Sequence, residues 1–290
     1  NVAGYVFILP FIIGLVVFTA IPFFTSLYLA FTKYNVLSDP KWVGLANFKE
    51  MFFEDELFWT SFKVTFKFAL IQVPVKLTVA LLVAMVLARA TRVTSFYRAA
   101  FYIPSLMGGS VAIALLWKQL FSPKGVINQI LGFFGLPDDT AWLGNPKTAL
   151  GTLIALGVWQ FGSSMLIFLA AIKNIPSSYY EAAIVDGAGP VRRFFSITLP
   201  LLTPIIFFNL INQVIGAFQA FNSSYLITKG KTAEHHAVLW SFICTTKPLI
   251  SFEMGYGSAM AWFMLLIIAF FTALIFRSSS AWVYYESEGR

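Results

Sequence analysis

The sequence predicts an all-α membrane protein with six transmembrane helices, and three observations carry that prediction. Hydrophobic residues make up 58% of the chain and charged ones only 11%, against roughly 25% charged in a soluble domain. Six runs reach the ~20 apolar residues needed to cross about 30 Å of hydrocarbon. They cover residues 2–31, 68–88, 99–117, 149–172, 199–227 and 254–276. Five of these runs contain no Asp, Glu, Lys or Arg, and the second contains only Lys76. Six spans and their loops use up the length, so residues 1–290 read as a single polytopic domain with no room for a second globular one.

Composition also excludes several classes. The single cysteine, Cys244, supports neither an internal disulfide nor a cysteine-based metal cluster. A net charge of +7 with basic residues beside the spans suits an anionic membrane surface. No basic, aromatic-interleaved soluble segment is present to hold nucleic acid. The first run is too long for a signal peptide and lacks a cleavage site.

Taken in order, the first run contains Pro10 and Pro22, which should kink it. Lys63 and Lys67 stand just before the second run, and Lys76 lies deep within it. Lysine at the centre of a membrane costs on the order of 3 kcal/mol, so Lys76 is expected to face a polar cavity. Lys63 and Lys67 share a helical face and can snorkel to water, with Lys76 nearly opposite Lys67 unless a kink at Pro74 brings them together. No carboxylate occurs in any of the six runs to neutralise Lys76. A partner's carboxylate or an anionic cargo are the two readings of it.

The third run opens after Phe96-Tyr97-Arg98 and contains Gly108-Gly109, small residues that let helices approach closely in lipid. The fourth carries a short polar stripe of Gln160 and Ser164 with Gly157. The fifth has the most informative pattern. Asn209, Asn212, Gln213, Gly216, Gln219, Ala220 and Ser223 fall on one side of a helix at ~100° per residue. Unsatisfied amides in hydrocarbon cost several kcal/mol each. The stripe therefore faces neighbouring helices or a wet cavity, and its length of about four turns favours a translocation path. Gln160, Ser164, Asn209, Asn212, Gln213, Gln219, Ser223 and Lys76 are the candidate path residues.

Between residues 228 and 253, Gly230-Lys231-Thr232 has the tail of a phosphate-binding loop, but Tyr225 stands where its first glycine belongs. Glu234-His235-His236 lacks further metal ligands, since adjacent histidines diverge on a helix. Neither nucleotide nor metal binding is expected of this chain, and no catalytic constellation is present.

Residues 176–200 break the apolar pattern. Pro176 suits a helix start, and Ser178 to Glu181 has the spacing of a capping box. Gly187 should end that helix in the left-handed conformation. Pro190 then opens a second short helix carrying Arg192 and Arg193, which Leu199-Pro200 is expected to close. Two short helices on a glycine turn make a knob suited to being gripped from outside the bilayer.

Glu181-Ala182-Ala183, Gly187, Ile197 and Leu199-Pro200 at this spacing resemble the EAA signature of bacterial ABC importer permeases. Ile175-Pro176, Tyr180, Asp186-Gly187-Ala188, Phe194 and Pro204 look like the carbohydrate-uptake branch of that family. So do Thr32-Lys33-Tyr34-Asn35, Trp42 to Phe48, Phe58-Trp59, Gly125 to Asn128, Trp142-Leu143 and Phe252 to Met260. The resemblance covers nearly the whole chain.

It implies a type I ABC importer permease fold, with residues 176–200 as the cytoplasmic coupling segment. Glu181, Ala182, Ala183, Asp186, Gly187, Arg192 and Arg193 would meet an ATPase. Implied partners are a second homologous permease, two ATPase subunits that bind ATP and Mg, and an extracytoplasmic solute-binding protein. The chain itself would carry no cofactor and not be an enzyme. The cargo implied is a carbohydrate, by preference an oligosaccharide and, on the Lys76 argument, an anionic one of the uronate or alginate type. Glycerol phosphate or a neutral sugar is the alternative. A stand-alone secondary transporter or channel is the alternative of another class, and it predicts an internal repeat that is absent.

The seven arginines, at positions 89, 92, 98, 192, 193, 277 and 290, fall on one side of these spans. By the positive-inside rule that side is cytoplasmic, with both termini on it. The expected location is the bacterial inner membrane.

Overall fold

The structure, a computed structural model, describes residues 2–89, 94–220, 227 and 252–284. Among the described residues the regular elements are helices and one short hairpin. Among the described residues four helices are long and apolar enough to cross a membrane, and two bent helix pairs bring the number to six when each pair counts as one span. The chain divides into two compact units, Asn1–Thr60 with Trp240–Ile267, and Ser61–Leu239 with Ile268–Arg290.

The first unit begins with α1 (Val2–Leu15), a π-helical turn (Val16–Ala20) and α2 (Ile21–Ala30). Between Tyr5 and Leu29 no residue is buried. The interruption sits just before Pro22 rather than at Pro10, which lies inside α1. In the π turn the Ile21 N–H reaches back to the Val16 carbonyl. That wider turn accommodates a proline ring that would clash with the carbonyl four residues back in a regular helix.

Strands β1 (Thr32–Lys33) and β2 (Lys41–Trp42) pair antiparallel, with Thr32 opposite Trp42. The ring of Phe31 stacks on Trp42 with centroids 5.7 Å apart. Asn47, buried on α3 (Ala46–Phe53), donates to the carbonyls of Ala30 at 2.8 Å and Thr32 at 2.9 Å. It thereby satisfies acceptors that the end of α2 leaves open. Asp55 accepts from the backbone N–H groups of Leu57 and Phe58 and so caps α4 (Glu56–Ala88). Its second oxygen accepts from the Tyr256 hydroxyl at 2.6 Å. Tyr256 opens α13 (Met254–Trp282), where Trp262 donates to Ser26 at 3.1 Å and packs on Phe23. These contacts give the aromatic and polar residues of 32–48 and 252–260 a packing role.

In the second unit, α5 (Thr94–Met107) and α6 (Val111–Leu120) meet at 101°. The run at 99–117 is therefore not one straight span. Gly108-Gly109 ends the first helix, and Ser110, in extended conformation, starts the next by accepting from the Ile113 N–H at 3.3 Å. A loop through α7 (Val126–Phe133) is latched by buried Asn128, which donates to the carbonyls of Pro123 and Thr140, each at 2.9 Å. The Trp142 indole donates to the same Asn128 at 2.6 Å.

The fourth run is also bent, by 42°, between α8 (Pro146–Trp159) and α9 (Gly162–Asn174). Ser105 of α5 is inserted at the break. Its hydroxyl donates to the Gln160 carbonyl at 3.1 Å and accepts from the Ser163 N–H at 3.1 Å. A side chain entering the backbone ladder in this way is a recognised cause of a kink. Gly162 is required there, because a Cβ would collide with the Phe101 carbonyl oxygen.

After α9 come α10 (Ser177–Val185), α11 (Pro190–Arg193), a second π turn (Phe194–Thr198) and α12 (Leu199–Phe218). Leu199-Pro200 does not end the second knob helix as the sequence suggests. Residues from Pro190 to Phe218 form one continuous helical stretch. The reason repeats that of the first span: the Leu199 N–H bonds the Phe194 carbonyl, and the widened turn precedes Pro200. The aromatic rings of Phe218 and Phe271 stack at 5.9 Å, and Phe207 meets Phe276 edge-on at 5.0 Å.

Candidate functional site: a knob and a polar seam

The knob is closed by a hydrogen-bonded glycine turn. Gly187 has φ of +75°. Its N–H bonds the Ile184 carbonyl at 3.0 Å, and the Ala188 N–H bonds the Ala183 carbonyl at 2.8 Å. This pair of reversed bonds is a Schellman motif, which satisfies the last carbonyls of α10 and requires the left-handed residue that glycine supplies. At the other end the expected capping box is not formed. Pro176 is the N-cap and no side chain caps the helix, because α10 begins at Ser177 and Ser178 is already helical. Tyr179 then stands where a capping box needs its acid, two residues before Glu181, which is exposed.

Ala182, Asp186 and Arg192 are likewise exposed, while Ala183 and Arg193 are half-buried. Apolar side chains stand out on the same turn: Val185 is 87% exposed and Val191 71%. The knob is fixed to the bundle by a hydrogen bond of 2.9 Å between the Tyr180 hydroxyl and Thr198, a contact without a sequence signal.

The polar residues of the fourth and fifth spans meet. Gln213 on α12 donates its side-chain amide to the Ser164 hydroxyl on α9 at 3.1 Å. Asn209 is buried and turns its amide back to the Ile205 carbonyl at 3.0 Å. Asn212 bonds the Phe208 carbonyl at 2.8 Å and is exposed. The helix stops at Phe218, so Gln219 is its exposed C-cap rather than a further position of the helical stripe. Ser223 lies outside the described residues. Gln160 sits at the α8–α9 break and donates to the Gly108 carbonyl at 3.3 Å. A Cβ on Gly108 would collide with that same side chain.

Lys76 is half-buried on α4, one turn after the buried Gln72. The Gln72 amide lies against Gly157, and its oxygen has no hydrogen-bond partner among the described residues. Lys63 and Lys67 are exposed. Among the described residues no group of three or more His, Cys, Asp or Glu is arranged to hold a metal ion.

Comparison with known proteins gives a consistent picture. A family model described as "Binding-protein-dependent transport system inner membrane component" matches residues 8–285. The probable ABC transporter permease protein YesP of Bacillus subtilis (strain 168) is 54% identical over 289 residues, covering 99% of this chain and 94% of the relative. The lactose transport system permease protein LacF of Rhizobium radiobacter is 31% identical over 287 residues, covering 96% and 94%. A chain of the crystal structure of a bacterial alginate ABC transporter, in complex with an alginate pentasaccharide-bound periplasmic protein, superposes with a TM-score of 0.83. It is 24% identical, covers 95% of this chain and 93% of that one, and shows the fold. The match runs through the knob and the seam alike, and the chain belongs to the family of inner-membrane components of binding-protein-dependent transport systems, the permeases of ABC transporters.

Proposed function

We propose that this chain is one of two membrane-spanning subunits of an ATP-driven importer of oligosaccharides. A second, similar permease completes the path. Two ATPase subunits, binding ATP and Mg, hydrolyse ATP outside this chain, and an extracytoplasmic binding protein delivers the cargo. The chain forms one domain with both termini in the cytoplasm. The observation that carries this reading is the knob. It presents Val185 and Val191 to solvent beside Glu181 and Arg192 on a turn held rigid by the Gly187 motif. Apolar side chains ringed by charge suit docking into a groove of a partner. Closure of the ATPases would be transmitted through it as rigid-body rocking of the helices.

Relatives named for lactose (31% identical) and arabinooligosaccharides (29% identical) support a carbohydrate cargo. The direct test co-purifies the chain with its partners and measures ATPase stimulation by a panel of sugar-loaded binding proteins. Stimulation confined to oligosaccharide-loaded forms is expected. Equal stimulation by every loaded form, or by none, contradicts the cargo class.

Lys76 favours an anionic cargo within this class, since no described carboxylate pairs with it. Transport by Lys76→Met of charged and neutral oligosaccharides of matched length separates the readings. Selective loss of the anionic one supports it, and equal loss of both makes Lys76 structural.

A further inference from the structure

Behind the knob lies a cavity of about 270 Å³, lined by Met85, Arg89, Tyr180, Arg193, Phe194 and Thr198 together with Ile172 and Pro190. Among the described residues its lining carries two guanidinium groups and no carboxylate. The Arg193 Nε is fully covered and has no hydrogen-bond partner among the described residues. A buried charged donor without an acceptor is costly and rare. The two neutral hydroxyls on the wall, Tyr180 and Thr198, bond each other rather than the guanidiniums. Arginine presents a planar fork of donors that matches phosphate oxygens.

We infer that this cavity binds a phosphate group, that of an anionic phospholipid headgroup. The position fits a headgroup. Arg89 follows the last residue of the 33-residue span Glu56–Ala88, and Arg193 lies in the first turn of the 29-residue span Pro190–Phe218. Both therefore stand at the level where apolar helix meets water. Met85, Ile172 and Phe194 add an apolar floor for the first carbons beyond the phosphate. Basic pockets between membrane helices are a known form of headgroup recognition. The bound phosphate bridges the end of α4 to the second helix of the knob. It thus separates the two arginines of the knob: Arg192 is exposed, whereas Arg193 turns to the lipid.

The test is native mass spectrometry of the detergent-purified full chain titrated with phosphatidylglycerol, with phosphatidylcholine as the neutral control. It requires neither ATPase nor sugar, so its outcome is independent of the transport reading. Wild type and Arg277→Gln, an exposed arginine outside the cavity, should retain phosphatidylglycerol and not phosphatidylcholine. Loss of one cationic contact is expected to weaken binding roughly fivefold, and Arg89→Gln/Arg193→Gln about thirtyfold. The single variants, checked by thermal melting, keep the comparison valid if the double variant does not fold. A parallel titration with inorganic phosphate identifies the source. Displacement of lipid by millimolar phosphate supports the anion site with free phosphate as its occupant. No displacement assigns it to the headgroup. Equal phosphatidylglycerol retention by wild type and both single variants overturns the inference. So does an absence of lipid and phosphate binding to wild type, which would leave a partner's carboxylate as the occupant.

Discussion

Gln213 and Ser164, 49 residues apart in the chain, share a hydrogen bond of 3.1 Å that ties α12 to α9. The bond makes one residue of the polar stripe interhelical. Asn209 is 2% exposed and committed to its own helix, whereas Asn212 and Gln219 are exposed. The stripe thus alternates packed positions with exposed polar ones.

That division predicts a labelling pattern. In single-cysteine variants, cysteines replacing Asn212 and Gln219 should react with water-soluble thiol reagents, and their labelling should change with loaded binding protein and ATP. A cysteine at Asn209 should stay unlabelled. Labelling at 209 but not at 212 or 219 would place the path on the other side of the helix.

At Gly187 the prediction concerns coupling. Gly187→Pro removes the N–H that bonds Ile184 and forbids the φ of +75°. Membrane insertion should remain normal, while ATP hydrolysis proceeds without transport. Gly187→Ala keeps the N–H but strains the turn by about 1–2 kcal/mol, and should uncouple partially. Normal transport by Gly187→Pro would show that the turn carries no force.

Glu181→Gln tests whether the carboxylate acts on a partner. Because Glu181 takes no part in capping α10, the melting temperature of the isolated chain should be unchanged and co-purification of the ATPase reduced. A lowered melting temperature with full ATPase retention would make Glu181 structural.

Around Gly162 the prediction is one of stability. Gly162→Ala forces a Cβ into the Phe101 carbonyl and should cost about 1–3 kcal/mol, read as a lower melting temperature of the detergent-purified chain. An unchanged melting temperature would mean that α5 and α9 separate freely.

The sequence was legible where local chemistry decides the structure. Apolar length located the spans, and glycine at 187 and proline at 190 located the turn of the knob. What it did not reveal depends on groups brought together from distant positions. The run at 99–117 is apolar throughout, and nothing in its periodicity marks a 101° bend. That bend needs Gly108 packed on Gln160, more than fifty residues away. Prolines 22 and 200 read as kinks or stops, yet both follow π turns that carry the helix past them. The capping box at Ser178 failed because Pro176 already occupied the cap, which moved the frame of α10. Both polar stripes were visible as patterns, but the pairing of Gln213 with Ser164 could be found only in three dimensions.

Uptake into proteoliposomes decides whether the chain works in ATP-driven import. They would contain this chain, its partner permease and the ATPase, with binding protein and radiolabelled oligosaccharide outside and ATP within. Accumulation against a gradient that needs ATP and binding protein and is abolished by Gly187→Pro is expected. Uptake that persists without ATP or binding protein, or that survives Gly187→Pro, would contradict it.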